Sequence, residues 1–446
     1  MKTQDLTRGS VLGNIFTFSL PYMLAYFLQM LYGLADMFFI GLYCGVDSIT
    51  AVSNGAQVMH LITVVLIGFA MGTTVRTARA VGANDQSMVA KVVGNTVTLF
   101  SLVAVVLTVV LLSSHSLIIR AINTPVEAVE ATRSYLLVCF SGIPFIVAYN
   151  IIASIFRGLG DSRSPMYFVI VACVVNILLD WLLVGQMGWG PIGAALATTL
   201  SQVASVAVSL FAMRSRHSLF QLTRNDFRLH RDTLRNILSI GVPVALQDGF
   251  IQIAFIAITV IANGRGLVDA AAVGIVEKFI GLLFIVPSAM LSTVSAISAQ
   301  CIGAGQVGRA RQTMRDAVYI AGGFGLAVSL LFQFIPDLAV RLFTTDAAVI
   351  AQGSEYLRSY VLDCFLAGIH FCFSGFFVAC GYSTISFCHN VVSIVFARLP
   401  LSYLFSELYP DTLYPMGLAS PIGSLVSVII CVVAYRWLHR HKLAQS

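Results

Sequence analysis

Apolar residues in this chain come in long runs broken by short polar stretches, with no strict alternation. Twelve runs fall at about 14–41, 49–74, 92–116, 131–156, 164–186, 191–213, 237–262, 271–300, 316–336, 350–381, 384–407 and 414–438. Each reaches the roughly 20 residues that a helix needs to cross a bilayer. The alternating segments of about ten residues that a membrane barrel needs are not visible. The expected fold is an all-α polytopic membrane protein with twelve transmembrane helices. The first run holds a charge: Asp36 sits in Ser19–Gly41, five residues before its end. A carboxylate at such depth costs roughly 2.5–3.5 kcal/mol on insertion scales, so it is paired, protonated, holding a cation or facing water. Gln29 and Tyr32 precede it by seven and four residues and share its helix face. The plainer alternative is an Asp that only fixes helix packing.

Composition agrees with the pattern. Of 446 residues, 58% are hydrophobic and 10% charged, against about 25% charged in a soluble domain. The nine cysteines lie mostly in apolar segments without metal-ligand spacing, as reduced packing residues do. The first run is too long for a signal-peptide core and lacks a small-residue cleavage site, so it is read as a retained helix.

Net charge is +6, and its placement sets the orientation. Lys2, Arg8, Arg76, Arg79, Lys91, Arg157, Arg163, Arg214, Arg216, Arg224, Arg228, Arg231 and Arg235 fall on one side. Arg309, Arg311, Arg315, Arg436, Arg440 and Lys442 join them, making nineteen of the 26 Lys and Arg, while Arg120, Arg265 and Arg341 lie opposite. The positive-inside rule then puts both termini and the loop 214–236 in the cytoplasm of a cell whose inner membrane holds the protein. Charge spread over every loop argues against a nucleic-acid patch.

The chain also repeats. Val81-Gly82-Ala83 recurs as Ile302-Gly303-Ala304, Leu159-Gly160-Asp161-Ser162 as Cys380-Gly381-Tyr382-Ser383, and Ala51-Val52 as Ala272-Val273, all shifted by 221. Pro21 and Pro243 match with one further residue inserted. Six spans per copy gives two copies of the same orientation, related by an axis along the membrane normal. The expected domains are a lobe at 1–213, a cytoplasmic linker at 214–236 and a lobe at 237–446. Two such halves around a central cavity suit a transporter better than a channel.

Asn176 and Asp180 are four apart in the fifth run, and Thr198 lies in the sixth. Counted from the outer ends of their spans, Asp36, Asp180 and Thr198 reach a similar depth. Two carboxyls, an amide oxygen and a hydroxyl at one level form an oxygen-rich site suited to H⁺ or Na⁺. The repeat provides a control: Asp36 maps to Ile258 or Ala257, Asn176 to Ala397 and Asp180 to Leu401. The second copy folds without these groups, so packing alone explains them poorly. That copy instead holds Asp248, Glu277, Lys278, Asp363 and Arg398, which fit a substrate cavity or an internal ion-pair network equally. His60, His370 and His389 have no ligand spacing and are expected to be satisfied packing groups. Tyr149 and Asn150 in the fourth run are further cavity candidates. Gly158-Leu159-Gly160-Asp161 is too short for a phosphate loop, so no nucleotide or other cofactor is implied.

The motifs Leu20-Pro21, Ala35-Asp36, Val81-Gly82-Ala83, Arg157-Gly-Leu-Gly-Asp161, Asn176-xxx-Asp180 and Gly193-Ala-Ala-Leu-Ala-Thr198 together resemble the multidrug and toxic compound extrusion (MATE) family along nearly the whole chain. The Asp in the first helix with Asn-xxx-Asp in the fifth resembles its DinF-type branch. That resemblance implies a cation site at Asp36, Asn176, Asp180 and Thr198, and a drug cavity lined by residues matching Gln29, Tyr32 and Asn150. The NorM-type branch relies on acids in helices seven and ten, where Asp248 and Asp363 lie without a clear alignment.

The expected function is secondary antiport. Organic cationic, zwitterionic or amphipathic compounds leave in exchange for H⁺ or Na⁺, through a chain expected to act as a monomer in the lipid bilayer. The alternative is a lipid-linked oligosaccharide flippase of the same wider superfamily, for which Arg398 is the one evident cavity cation. Clustered nucleophiles of an enzyme are missing.

Overall fold

The computed structural model describes residues 5–214 and 222–441. Lys2, Arg216, Lys442 and residues 215–221 of the expected linker lie outside the described residues. The chain divides into two compact units. The first takes Leu20–Gly241, and the second takes Asp5–Ser19 with the described residues from Val242 on.

The first unit contains most of α1 (Val11–Tyr43), then α2 (Val46–Gly82), α3 (Gln86–Ala121), α4 (Val129–Ser141), α5 (Ile143–Gly158), α6 (Arg163–Asp180) and α7 (Gly190–Arg214). It closes with the start of α8 (Arg231–Gly264). Long apolar stretches run through α1, α2, α3, α6 and α7, as in membrane-spanning helices. Val52, Phe100, Phe140 and Ile155 fill the core, while Leu102, Val105 and Val109 on the other face of α3 stay exposed. The fourth expected span is bent by 46° between α4 and α5. Gly142 and Pro144 lie at that joint: Pro144 has no N–H for the ladder, and a Cβ on Gly142 would stand 2.8 Å from Thr199 Cγ2.

The second unit contains the rest of α8, then α9 (Leu267–Leu283), α10 (Ile285–Gly303), α11 (Val307–Phe334), α12 (Pro336–Arg341), α13 (Ala347–Tyr360), α14 (Asp363–Cys380), α15 (Ser383–Ser393), α16 (Leu399–Leu408) and α17 (Tyr414–His441). Among the described residues eleven helices are long and apolar enough to span a membrane, or twelve with the bent pair counted as one. The run expected at 350–381 is divided: α14 alone passes that test. The polar helix α13 joins the turn before α17, where Gln352 Nε2 donates to Asp411 O at 3.1 Å and Leu413 N to Gln352 Oε1 at 3.2 Å. Arg265 explains itself as a clamp. Its guanidinium pairs with Asp269 at 2.7 Å and donates to the carbonyls of Ser406 and Pro410 at 2.7 and 2.9 Å.

The units repeat each other in their turns. Asp85 N donates to Ala80 O at 3.0 Å, as Gln306 N does to Cys301 O at 2.8 Å. Asp161 N donates to Phe156 O at 2.9 Å, as Tyr382 N does to Phe377 O at 2.8 Å. Left-handed residues close the same turns: Asn84 and Gly305, Gly160 and Gly381. All four pairs keep the spacing of 221.

Two boundaries differ from those expected from sequence. The opening segment to Ser19 belongs with the second unit, where Leu6 is buried, donates to Gln300 Oε1 at 2.9 Å and accepts from Arg309. The segment 222–241 belongs with the first. Asn95 on α3 donates to Asp226 O at 3.1 Å and accepts from His230 N at 2.7 Å, and Gly94 lets the chain approach so closely that a Cβ would lie 2.3 Å from Asp226 O. Hydrogen bonds from Thr223 hold the Asp226 carboxyl below its ordinary 3.8.

Candidate coupling-ion site

Helices α1, α6 and α7 bring the four predicted residues of the first unit together. Asn176 Nδ2 donates to Asp36 Oδ1 at 3.0 Å, and Thr198 Oγ1 donates to Asp36 Oδ2 at 2.9 Å. The Asp180 carboxyl lies in side-chain reach of Asp36. Asn176 and Asp180 are fully buried, and Asp36 is 5% exposed. Asp180 closes α6, and a π-helical turn, Trp181–Gln186, follows it directly. Such turns are common at functional positions because they interrupt the regular ladder.

The donors are unevenly shared. Asp36 accepts from both, whereas both Asp180 oxygens and Asn176 Oδ1 are buried without a partner. Three acceptor oxygens beside a carboxylate call for something positive between them, since buried polar groups are otherwise satisfied. A proton on one carboxyl would let it donate to the other. A hard cation would use the same oxygens, and the donor set fits it by type.

Of the expected cavity residues in this unit, Tyr32 lies in the electrostatic reach of Asp36 and Tyr149, and Tyr149 in side-chain reach of Gln29. Asn150 turns back on its own helix, donating to Ile146 O at 2.8 Å. Sequence reasoning missed Tyr135 and Cys139 on α4, both buried near Asp36. It also missed Arg157, whose guanidinium stands 4.5 Å from the centre of the Tyr22 ring. An arginine in the last turn of a helix gives no sign of burial by itself.

In the second unit Ile258, one of the two positions that match Asp36, is packed in an apolar cluster with Val273 and Leu357. Glu277, Asp363 and Arg398 gather instead, both acids in the electrostatic reach of the arginine. Arg398 donates to the Tyr360 hydroxyl and stands 4.9 Å from the Phe255 ring centre. Asp363 Oδ1, Glu277 Oε1 and Arg398 Nε lack partners. Lys278 is exposed. Asp248 is not part of this group; it lies by Gln247, which accepts from Ser386 at 2.6 Å. One histidine departs from expectation. His389 is satisfied by Ser374 at 2.8 Å and Ser427 at 3.2 Å, but Nδ1 of the buried His370 has no partner.

Two repeated helical units, one holding a buried carboxyl pair with acceptors to spare, have the architecture of a membrane transporter. The chain belongs to the MATE family. The family model described as MatE matches it twice, over residues 21–182 and 243–404, one match per repeat. It is 26% identical to the "Probable multidrug resistance protein YoeA" of Bacillus subtilis over 99% of this chain and 96% of that one. It is 28% identical to the "FAD transporter" of Shewanella oneidensis over 95% and 93%. Among solved structures, the outward-facing conformation of a multidrug resistance MATE family transporter of the MOP superfamily superposes with a TM-score of 0.90 at 25% identity, covering 98% of both chains.

Proposed function

We propose that this MATE protein is a secondary antiporter that exports organic cationic, zwitterionic or amphipathic compounds, with inward flow of H⁺ or Na⁺ as the drive. Asp36 and Asp180 hold the coupling ion, and Asn176 and Thr198 fix Asp36 by their hydrogen bonds. The observation that carries this reading is the surplus of unpartnered acceptor oxygens at Asn176 and Asp180 beside Asp36. A proton satisfies them with least rearrangement, because a hard cation wants about six oxygens and three are unspent here. The Lys and Arg bias supports an orientation with both termini in the cytoplasm, and the protein would act in the inner membrane. No catalytic residue and no cofactor enter this scheme. The lipid-linked flippase is not favoured: the relatives' names are those of multidrug and FAD transporters.

The test is dye accumulation by everted vesicles, with a pH gradient and a sodium gradient imposed separately. Accumulation driven by either gradient supports antiport. Dye movement indifferent to both refutes it.

A further inference from the structure

Arg157 lies in the last turn of α5 in the first unit and is buried, only 8% exposed. Among the described residues the ionisable groups within its electrostatic reach are Tyr22, Tyr149 and Tyr26, and no carboxylate is one of them. Tyr22 covers one face of the guanidinium at 4.5 Å. A helix C-terminus favours a cation, but offers only a fraction of what burying an unpaired guanidinium costs. The Asp161 carboxylate, four residues on, accepts from Arg163 N, Ser164 N and Ser164 Oγ at the start of α6. Five N–H donors in a fixed plane, one face held by an aromatic ring, match the bidentate geometry of a carboxylate or phosphate.

We propose that Arg157, with Tyr22, Tyr26 and Tyr149, forms a subsite for the acid group of an exported compound. The proposal rests on the exporter reading and narrows it: the preferred cargo carries an anionic group besides any cationic or aromatic part. Tyr149 links this subsite to the other end of the stripe, since Gln29 and Tyr32 lie within its reach and Asp36 within that of Tyr32. The acid group would be held at the arginine end, away from the carboxyl pair that would repel it. The same chemistry would also hold the headgroup of an anionic lipid.

The experiment uses the purified full-length protein in neutral detergent and two dyes that differ by one charge. Rhodamine B has a free benzoate; its ethyl ester does not. Binding is read by fluorescence polarisation for the wild type, Arg157→Lys and Arg157→Gln. The wild type should bind the acid about tenfold or more tighter than the ester, the worth of one bidentate charge-assisted contact. Arg157→Gln should erase that gap and leave the ester's affinity within about twofold, and Arg157→Lys should keep part of it. Equal wild-type affinities, or a gap that Arg157→Gln leaves intact, would overturn the subsite. If neither variant folds, the wild-type comparison decides alone. Adding phosphatidylglycerol should leave the gap in place; its collapse would assign Arg157 to a lipid headgroup and overturn the cargo assignment. Gradient-driven export of the ester by the wild type is measured separately, so failure of the exporter reading is distinguishable from failure of the subsite.

Discussion

Replacing Asp36 by Asn removes one charge and almost no volume. The side chain now accepts from two donors, Asn176 at 3.0 Å and Thr198 at 2.9 Å. In the variant the amide oxygen can keep the Asn176 bond, and the amide nitrogen can donate to the Thr198 hydroxyl once that rotates to accept. Two charge-assisted bonds at about 1.5–3 kcal/mol each become two neutral ones at about 0.5–1.5. The loss of about 2–3 kcal/mol is offset by the roughly 2.5–3.5 kcal/mol that an intramembrane carboxylate costs. Stability should therefore change by about 1.5 kcal/mol or less, a shift of a few degrees in Tm. Transport should not survive, because a neutral amide cannot take up and release the coupling ion. The assay compares wild type and variant reconstituted at equal protein, with size-exclusion melting as the stability control and gradient-driven dye accumulation as the readout. Accumulation at the level of empty liposomes, from a protein that melts normally, is the expected result. A variant that melts normally and still accumulates dye at half the wild-type rate or better would refute the reasoning.

Ile258→Asp should not create a second ion site, because the site it copies needs Asn176, Asp180 and Thr198, whose counterparts include Ala397 and Leu401; reduced yield with no gain in sodium or proton binding is expected, and a gain would count against a four-residue site. Gly72→Ala should lower Tm clearly, since its Cβ would stand 2.2 Å from Ile237 O where α2 meets the start of α8; an unchanged melting curve would contradict that contact. The Asp226 carboxyl contributes its stabilisation above its unfolded value and loses it as pH falls through the lowered folded one. Hydrogen exchange, corrected for intrinsic rates, should therefore show residues 222–230 well protected at about pH 5 and loosened at about pH 3, while Asp226→Asn is loosened at both.

The spans and the repeat were legible in the sequence because both depend on local quantities, run length and motif spacing. The cluster of Asp36, Asn176, Asp180 and Thr198 was legible for a related reason. Asp36, Asn176 and Asp180 are expensive in lipid, so their presence marks them, and their absence from the second copy shows that the scaffold does not require them. The exchange of helix starts between units was not legible. It depends on long-range contacts such as Leu6 with Gln300, between two stretches that are individually unremarkable. Span ten misled because its apolar run hides a break: α13 is polar on the face that meets the turn before α17, and averaging over 350–381 conceals it. The Arg157–Tyr22 stack escaped because a tyrosine on a helix face reads the same whether it meets lipid, core or a cation. His370 escaped as well, since a lone histidine gives no indication of whether both its nitrogens find partners.

The central claim is that the Asp36–Asp180 pair holds the ion that the cargo exchanges for, and it can be tested with no gradient at all. Purified protein in weakly buffered detergent, free of sodium, is mixed with a cationic dye that it exports, and protons released on binding are counted with a pH indicator. The account predicts release of up to one proton per bound dye from the wild type, and none from Asp36→Asn or Asp180→Asn at saturating dye. Equal release from all three proteins would contradict it.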